Sequence, residues 1–119
     1  MPRFVLLEHD HPSLHWDLLL EAGEHLRAWR LSAPPEVGKA VSATANFPHR
    51  RLYLDYEGRV SKGRGMVKRW DSGTFDWIER KDAFVLVSLS GHVTRGQATL
   101  ECNGGKVWTF VLSTESPIS

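Results

Sequence analysis

Residues 9 to 17 read HDHPSLHWD, so three of the chain's six histidines and two aspartates fall within nine positions. Imidazole nitrogen and carboxylate oxygen together suit divalent transition metals such as Zn²⁺, Fe²⁺ or Co²⁺, which makes the block a candidate metal centre. Spacing says more than composition. On a strand over 14 to 21, alternation puts Leu14, Trp16, Leu18 and Leu20 on one face and His15, Asp17, Leu19 and Glu21 on the other. His15 and Asp17 would then reach one cation from a rigid element, each donor about 2 Å from the ion. The intervening DHPS folds the chain back and brings His9 into range, giving His9-x5-His15-x-Asp17. The same residues also suit a simpler arrangement, in which a partly buried His15 hydrogen-bonds to Asp17 and His9 lies in solvent. Spacing leaves both open.

A second polar face is expected at 49 to 57, HRRLYLDYE, where His49, Arg51, Tyr53, Asp55 and Glu57 alternate with Leu52, Leu54 and Tyr56. Histidine and tyrosine four residues apart on one strand face can hold a phosphate or an oxyanion, and a neighbouring guanidinium offers bidentate anion geometry. The competing reading is a solvated face of a half-exposed antiparallel sheet.

Both faces need a scaffold of strands, and the rest of the chain supplies one. FVLLE, LHWDLLLE, HLRAWRLS, RLYLDYE, GMVKRWD, TFDWIER, AFVLVSLS, QATLEC and KVWTFVLS are rich in β-branched and aromatic residues. EAGE, SAPPEVG, DSG, SG and NGG separate them as turns, at intervals that fit hairpins rather than crossover helices. The expected fold is all-β, a small antiparallel β-barrel or sandwich with little helix, forming a single domain over 1–119. The segment 33 to 48 reads as the longest irregular connection and 114 to 119 as a polar tail. Leu14, Trp16, Leu18, Leu20, Phe84, Leu86 and several tryptophans are the expected core.

With 119 residues the chain can bury a real core, and 15 basic against 14 acidic residues exclude nucleic-acid binding driven by overall charge. A single cysteine, Cys102, excludes an internal disulfide framework and a Cys-rich zinc motif. No run approaches the roughly 20 apolar residues of a membrane span, and no apolar leader segment is visible, so a cytoplasmic, monomeric protein is expected.

The succession FVLLEHD, LHWDLLLE and LRAWRL, then HRRLYLDYEG, WDSGTF and GHVTRGQATL…WTFVLS, resembles the 3′-phosphoesterase domain of DNA ligase D and its stand-alone relatives. The resemblance covers nearly the whole chain. Its most specific blocks are H-D-x4-L-H-[WY]-D-x3-E and H-x3-Y-x-D-[FY]-E-G. It implies a compact β-barrel in which His9, His15 and Asp17 hold Mn²⁺, or another divalent transition metal, while His49 and Tyr53 contact a phosphate or assist the leaving group. It also implies a DNA-repair role at nucleic-acid 3′ ends, removing a terminal ribonucleoside and then a 3′-phosphate, with a DNA ligase or polymerase as a possible partner in trans.

Two positions depart from the family pattern. Leu19 stands where the family carries an arginine two residues after the metal-binding aspartate, and an arginine expected upstream of the phosphate-site histidine falls on Val41, or on Lys39 with a local shift. Arg51 is the expected replacement, with Arg27 and Arg50 as the other choices. The chain also lacks the longer N-terminal arm of ligase D homologues, so weak or altered turnover is an expectation. The depleted clamp supports an alternative, a non-catalytic DNA-end or protein-binding module. A further alternative is a non-haem iron oxygenase using His15 and Asp17 with a distal His49 or His92. The five tryptophans read as packing residues, KGRGMVKR at 62 to 69 as a hairpin arm able to track a nucleic-acid backbone beside the pocket, and His11 and His25 as peripheral.

Overall fold

The structure, a computed structural model that describes residues 1–114, contains β1 (Arg3–His9), β2 (His15–Ala22), β3 (His25–Leu31), β4 (Ala40–Arg50), β5 (Gly58–Arg59), β6 (Met66–Arg80), β7 (Phe84–Gly91), β8 (Arg95–Gly104) and β9 (Val107–Ser113). The polar tail expected at 114 to 119 lies, beyond Thr114, outside the described residues. Neighbours pair antiparallel in the order β1-β2-β3-β4-β9-β8-β7-β6, and β6 pairs back onto β1, which closes an eight-stranded barrel. Closure removes both sheet edges, and β5 adds only a short ribbon to the start of β6.

Strand alternation sorts the apolar residues into two clusters. Leu18 and Leu20 of β2, Trp29 and Leu31 of β3, Phe75 of β6 and Phe110 of β9 fill the barrel interior. At roughly 1.5–3 kcal/mol per buried large side chain, this cluster dominates stability. The opposite face of β1, β2 and β3 is also apolar: Val5, Leu7, Leu19, Leu26 and Ala28 pack outside the barrel wall against Leu54 and Val67. Tyr53, Tyr56 and Val60 lie over this second cluster, so the segment after β4 is a lid of chain clamped across the outer wall.

That lid corrects one expectation. Residues 51 to 57 do not form a strand: Arg51–Leu54 is a single 3-10 turn that drives Leu54 into the outer cluster, leaving Leu52 exposed. The irregular stretch is likewise shorter than expected, because residues 40 to 50 of the polar AVSATANFPHR form β4 between β3 and β9. DSG is no turn either. It lies within the fifteen-residue β6, where Gly73 is needed because a Cβ there would meet the Ser90 carbonyl at 2.1 Å. Asp71 beside it is buried and accepts backbone N–H bonds from Ser72, His92, Val93 and Thr94, tying the β7–β8 turn to β6.

Leu18 and Leu20 are core as expected, but Leu14 precedes β2 and is exposed, while Trp16 is half-buried at the rim of the interior cluster. In β7 the phase is reversed: Val85, Val87 and Leu89 face inward and Phe84 and Leu86 are half-buried. AFVLVSLS is apolar on both faces, so alternation alone could not choose between them. Trp29 and Trp108 are buried, and Trp16, Trp70 and Trp77 pack against the same interior cluster.

Candidate metal centre and phosphate pocket

The β1–β2 hairpin pairs His9 directly with His15, and Asp17 follows His15 on the same face of β2. One donor atom from each of His9, His15 and Asp17 lies within 4.8 Å of the others, the only such His/Cys/Asp/Glu cluster among the described residues. Asp17 and His15 are buried and His9 is half-buried.

Backbone carbonyls orient both rings. His15 Nδ1 is 2.8 Å from the Ser13 carbonyl, and since a carbonyl only accepts, Nδ1 carries the proton. His15 Nε2 is thereby left with its lone pair toward Asp17, 3.1 Å from Oδ1. Among the described residues this buried nitrogen has no hydrogen-bond partner. Its position suits a ligand to a shared cation better than a donor to the carboxylate. His9 Nε2 donates to the Arg64 carbonyl at 2.8 Å, which aims Nδ1 at Asp17 Oδ2, 3.1 Å away. Such carbonyl-anchored imidazoles are the usual supports of metal-binding histidines.

Electrostatics follow the same contacts. Burial works against the Asp17 carboxylate, but the two imidazoles set against its oxygens, His15 at Oδ1 and His9 at Oδ2, outweigh it and hold the group at about 2. His9 is raised above the ordinary imidazole range, chiefly by its hydrogen bond to Asp17 and against the cost of burial. Asp17 is therefore a fixed negative charge between two imidazoles.

The loop that supplies the Arg64 carbonyl can approach so closely because residue 65 is glycine. Gly65 has φ +77°, and a Cβ there would come within 2.2 Å of Asp10 Oδ1 and 2.6 Å of His11 Cβ. Asp10 Oδ1 also accepts the Met66 N–H at 2.8 Å, latching the loop to the β1–β2 hairpin.

His9 and Asp17 open onto a cavity of about 440 Å³ whose far wall includes His49 and Tyr53. His49 reaches this face through a β-bulge. Asn46 pairs with Ala28 and His49 with Leu26, so Phe47 and Pro48 together oppose Arg27. Without the extra residue, Pro48 would take the outward position and His49 would turn toward the interior. Pro48, lacking an N–H, is tolerated because the bulge interrupts the ladder. His49 Nδ1 donates to the Phe47 carbonyl at 2.9 Å, which leaves Nε2 as its free ring nitrogen, and the ring meets Tyr53 edge-on at 5.8 Å.

His49 and Tyr53 thus share the pocket although no common strand carries them. Arg51 does not join them. Its guanidinium pairs with Glu21 and donates to the Gly23 carbonyl, which turns it toward the β2–β3 turn and away from the cavity. Arg27 lies over the Trp29 ring at 4.7 Å and is not in the cavity wall either. Arg50 and Arg64 do line the cavity, and so does Arg30, which the sequence reading did not single out. The two-residue turn closing Ala22 onto His25 fixes the β2–β3 register, and counting along it puts Arg30 opposite Asp17. Of the KGRGMVKR arm, Arg64 and Val67 reach this cavity. His92 and His25 do not line it, whereas His11 does, together with Pro12.

The arrangement combines the Asp17 carboxylate and the His9 imidazole at one end of an open cavity, with the buried His15 behind them, and imidazole, phenol and guanidinium groups along its walls. The model of the DNA ligase D 3′-phosphoesterase domain matches residues 7–112. This chain belongs to that family. Among curated proteins, the multifunctional non-homologous end joining DNA repair protein LigD of Mycobacterium tuberculosis is 30% identical over 114 residues, covering 88% of this chain and 15% of the relative. The LigD protein of Mycobacterium bovis is similar to the same degree. The chain therefore corresponds to a small part of these relatives. Within the family frame, Leu19 is fully buried in the outer cluster and contributes nothing to the cavity wall. Among the described residues no helix is long and apolar enough to cross a membrane.

Proposed function

We propose that this protein is a metal-dependent 3′-end-healing phosphoesterase that removes a terminal ribonucleoside, a 3′-phosphate, or both from nucleic-acid ends during DNA repair. Family membership supports the reaction class. The observation that carries the reading is the convergence of His9, His15 and Asp17 at one end of a cavity that also holds His49, Tyr53 and unpaired guanidinium groups.

The donor set fits a divalent transition metal, with Mn²⁺ the ion proposed, because one buried imidazole nitrogen has no hydrogen-bond partner and both rings are held by carbonyls on their other nitrogens. When bound, the cation supplies Lewis acidity to a phosphoryl oxygen and lowers the pKa of a bound water. In this reading the doubly protonated ring of His49 gives its Nε2 proton to the departing oxygen, with Nδ1 bonded to the Phe47 carbonyl to fix the ring. Tyr53 offers its phenolic hydroxyl to the same phosphate. Among the described residues no serine or cysteine lines the cavity. The natural partners of such a site are primer-template or nicked ends, and a ligase acting on the healed 3′-OH.

A matrix of divalent metals against primer-templates ending in a ribonucleotide, a 3′-phosphate or a plain 3′-OH tests the proposal. Metal-dependent release of nucleoside or inorganic phosphate is the expected result. Saturable end binding without turnover under any metal would replace it with a binding module, and iron-dependent oxygen uptake with an oxygenase.

A further inference from the structure

Arg30 is an unexplained charge. It lies on β3 between β2 and β4, paired across the sheet with Asp17 on one side and Thr44 on the other. Leu26, Ala28 and Arg30 alternate onto the outer face, and the first two belong to the apolar outer cluster, so Arg30 ends an otherwise apolar stripe where that stripe meets the cavity. The residue is half-buried, and its Nε is inaccessible and, among the described residues, has no hydrogen-bond partner. Among the described residues no carboxylate pairs with the guanidinium, although it lies on the strand next to Asp17. That carboxylate is flanked by His9 at Oδ2 and His15 at Oδ1.

A guanidinium carries five donors in a planar fork and cannot discharge itself by losing a proton. Leaving such a group partly desolvated and unpaired costs free energy that nothing in the protein returns, whereas an anion in the cavity would satisfy it. Arg50 also lines the cavity, but it is exposed at the end of β4 and stays hydrated, and two further arginines near the site are otherwise employed. Arg51 is consumed by Glu21, and Arg64 donates to Ser61 within its own loop. Leu19, two residues beyond Asp17 on the same strand face, points into the outer cluster and offers no donor.

Resting on the phosphoesterase reading, we infer that Arg30 is the phosphate-binding arginine of this protein. The guanidinium clamps the terminal phosphate between the metal triad and His49, a function moved from β2 to the neighbouring strand. Because adjacent strands lie about 4.8 Å apart, a donor on β3 opposite Asp17 reaches the same phosphate that a long side chain farther along β2 would reach.

The test compares wild type with Arg30→Gln and Arg30→Lys, and with Arg95→Gln as a net-charge control on β8 outside the cavity. The probe is a primer-template carrying a 3′-phosphate or a 3′-OH, and Mn²⁺ affinity and melting temperature are measured in parallel. Wild type should prefer the 3′-phosphate end. Arg30→Gln should lose that preference by about tenfold or more, and Arg30→Lys, with the charge but not the fork, should fall between. Mn²⁺ affinity should hold in both, and Arg95→Gln should match wild type. If wild type prefers the phosphate without ever releasing it and Arg30→Gln loses that preference, the role of Arg30 stands and the catalytic reading fails. Undiminished preference or turnover in a folded Arg30→Gln would overturn the role of Arg30 and leave the catalytic reading intact. Equal losses in Arg95→Gln and Arg30→Gln, or no phosphate preference in wild type, would also overturn it.

Discussion

His9 donates its Nε2 proton to the backbone carbonyl of Arg64, 55 residues away in sequence, at 2.8 Å. The loop bearing Arg64 thereby sets which nitrogen of His9 faces Asp17, so a residue outside the proposed ligand set orients one of its members.

Gly65→Ala tests that dependence. A Cβ at Gly65 collides with Asp10 and His11, and φ +77° strains any L side chain. The substitution should cost about 1–3 kcal/mol of stability and displace the Arg64 carbonyl. Mn²⁺ titration should show weakened binding in a protein still folded by circular dichroism. Unchanged affinity would mean that the loop does not govern His9.

Metal affinity and metal-free stability should respond to pH in opposite directions. His9 is raised above its ordinary value in the fold, so its contribution to metal-free stability is complete below the unfolded-state pKa and disappears as pH rises through the folded one. A cation must displace that proton from Nδ1, so affinity should climb over the same range, by up to about tenfold per pH unit. Calorimetry in buffers of different ionisation enthalpy should register about one proton released at the lower pH values. Asp17, held at about 2, stays ionised throughout and adds no step. An affinity flat between about pH 6 and 8 would contradict the assignment of His9.

Leu19→Arg, which restores the family residue, should harm this protein. Leu19 is 0% exposed among Val5, Leu7, Leu26 and Leu54, so the new charge would be buried without a partner. A loss of about 3 kcal/mol or more is expected in chemical denaturation. A stable variant with tighter 3′-phosphate binding would show instead that position 19 opens onto the cavity.

Asp71→Ala should unravel a different part of the barrel. Its carboxylate accepts N–H groups from Ser72, His92, Val93 and Thr94, and the substitution removes that acceptor from all four, leaving the His92 N–H its 3.3 Å bond to the Ser72 carbonyl. The expected cost is about 3–5 kcal/mol, with Mn²⁺ affinity intact wherever the protein remains folded, since Asp71 does not line the cavity. A metal-binding defect in the folded variant would reveal coupling between the two ends.

The strands of the metal hairpin were legible because one face of β2 is apolar and the other holds His15 and Asp17, and because DHPS returns the chain immediately. Barrel closure was legible as a class, from short strands and frequent turns. The phosphate wall was read through the wrong local structure. Alternation over 49 to 57 fits a strand on paper, but Leu54 gains more by entering a cluster outside the barrel, and a 3-10 turn delivers it there. Arg51 was misdirected for the same reason, since a turn sends it toward Glu21. That outer cluster was hidden because Leu19, Leu26 and Ala28 look like ordinary members of a single core. Arg30 was within reach of the sequence: the two-residue turn after Ala22 fixes its pairing with Asp17, which follows from counting rather than from composition.

Release of inorganic phosphate from a 3′-phosphorylated primer-template, followed with Mn²⁺ and with chelator in wild type, Asp17→Ala and Asp17→Asn, tests the central claim most directly. The account predicts release by wild type with Mn²⁺, abolished by chelator and reduced by about a hundredfold or more in both folded variants. Phosphate release that survives chelation and the loss of the Asp17 carboxylate would contradict it.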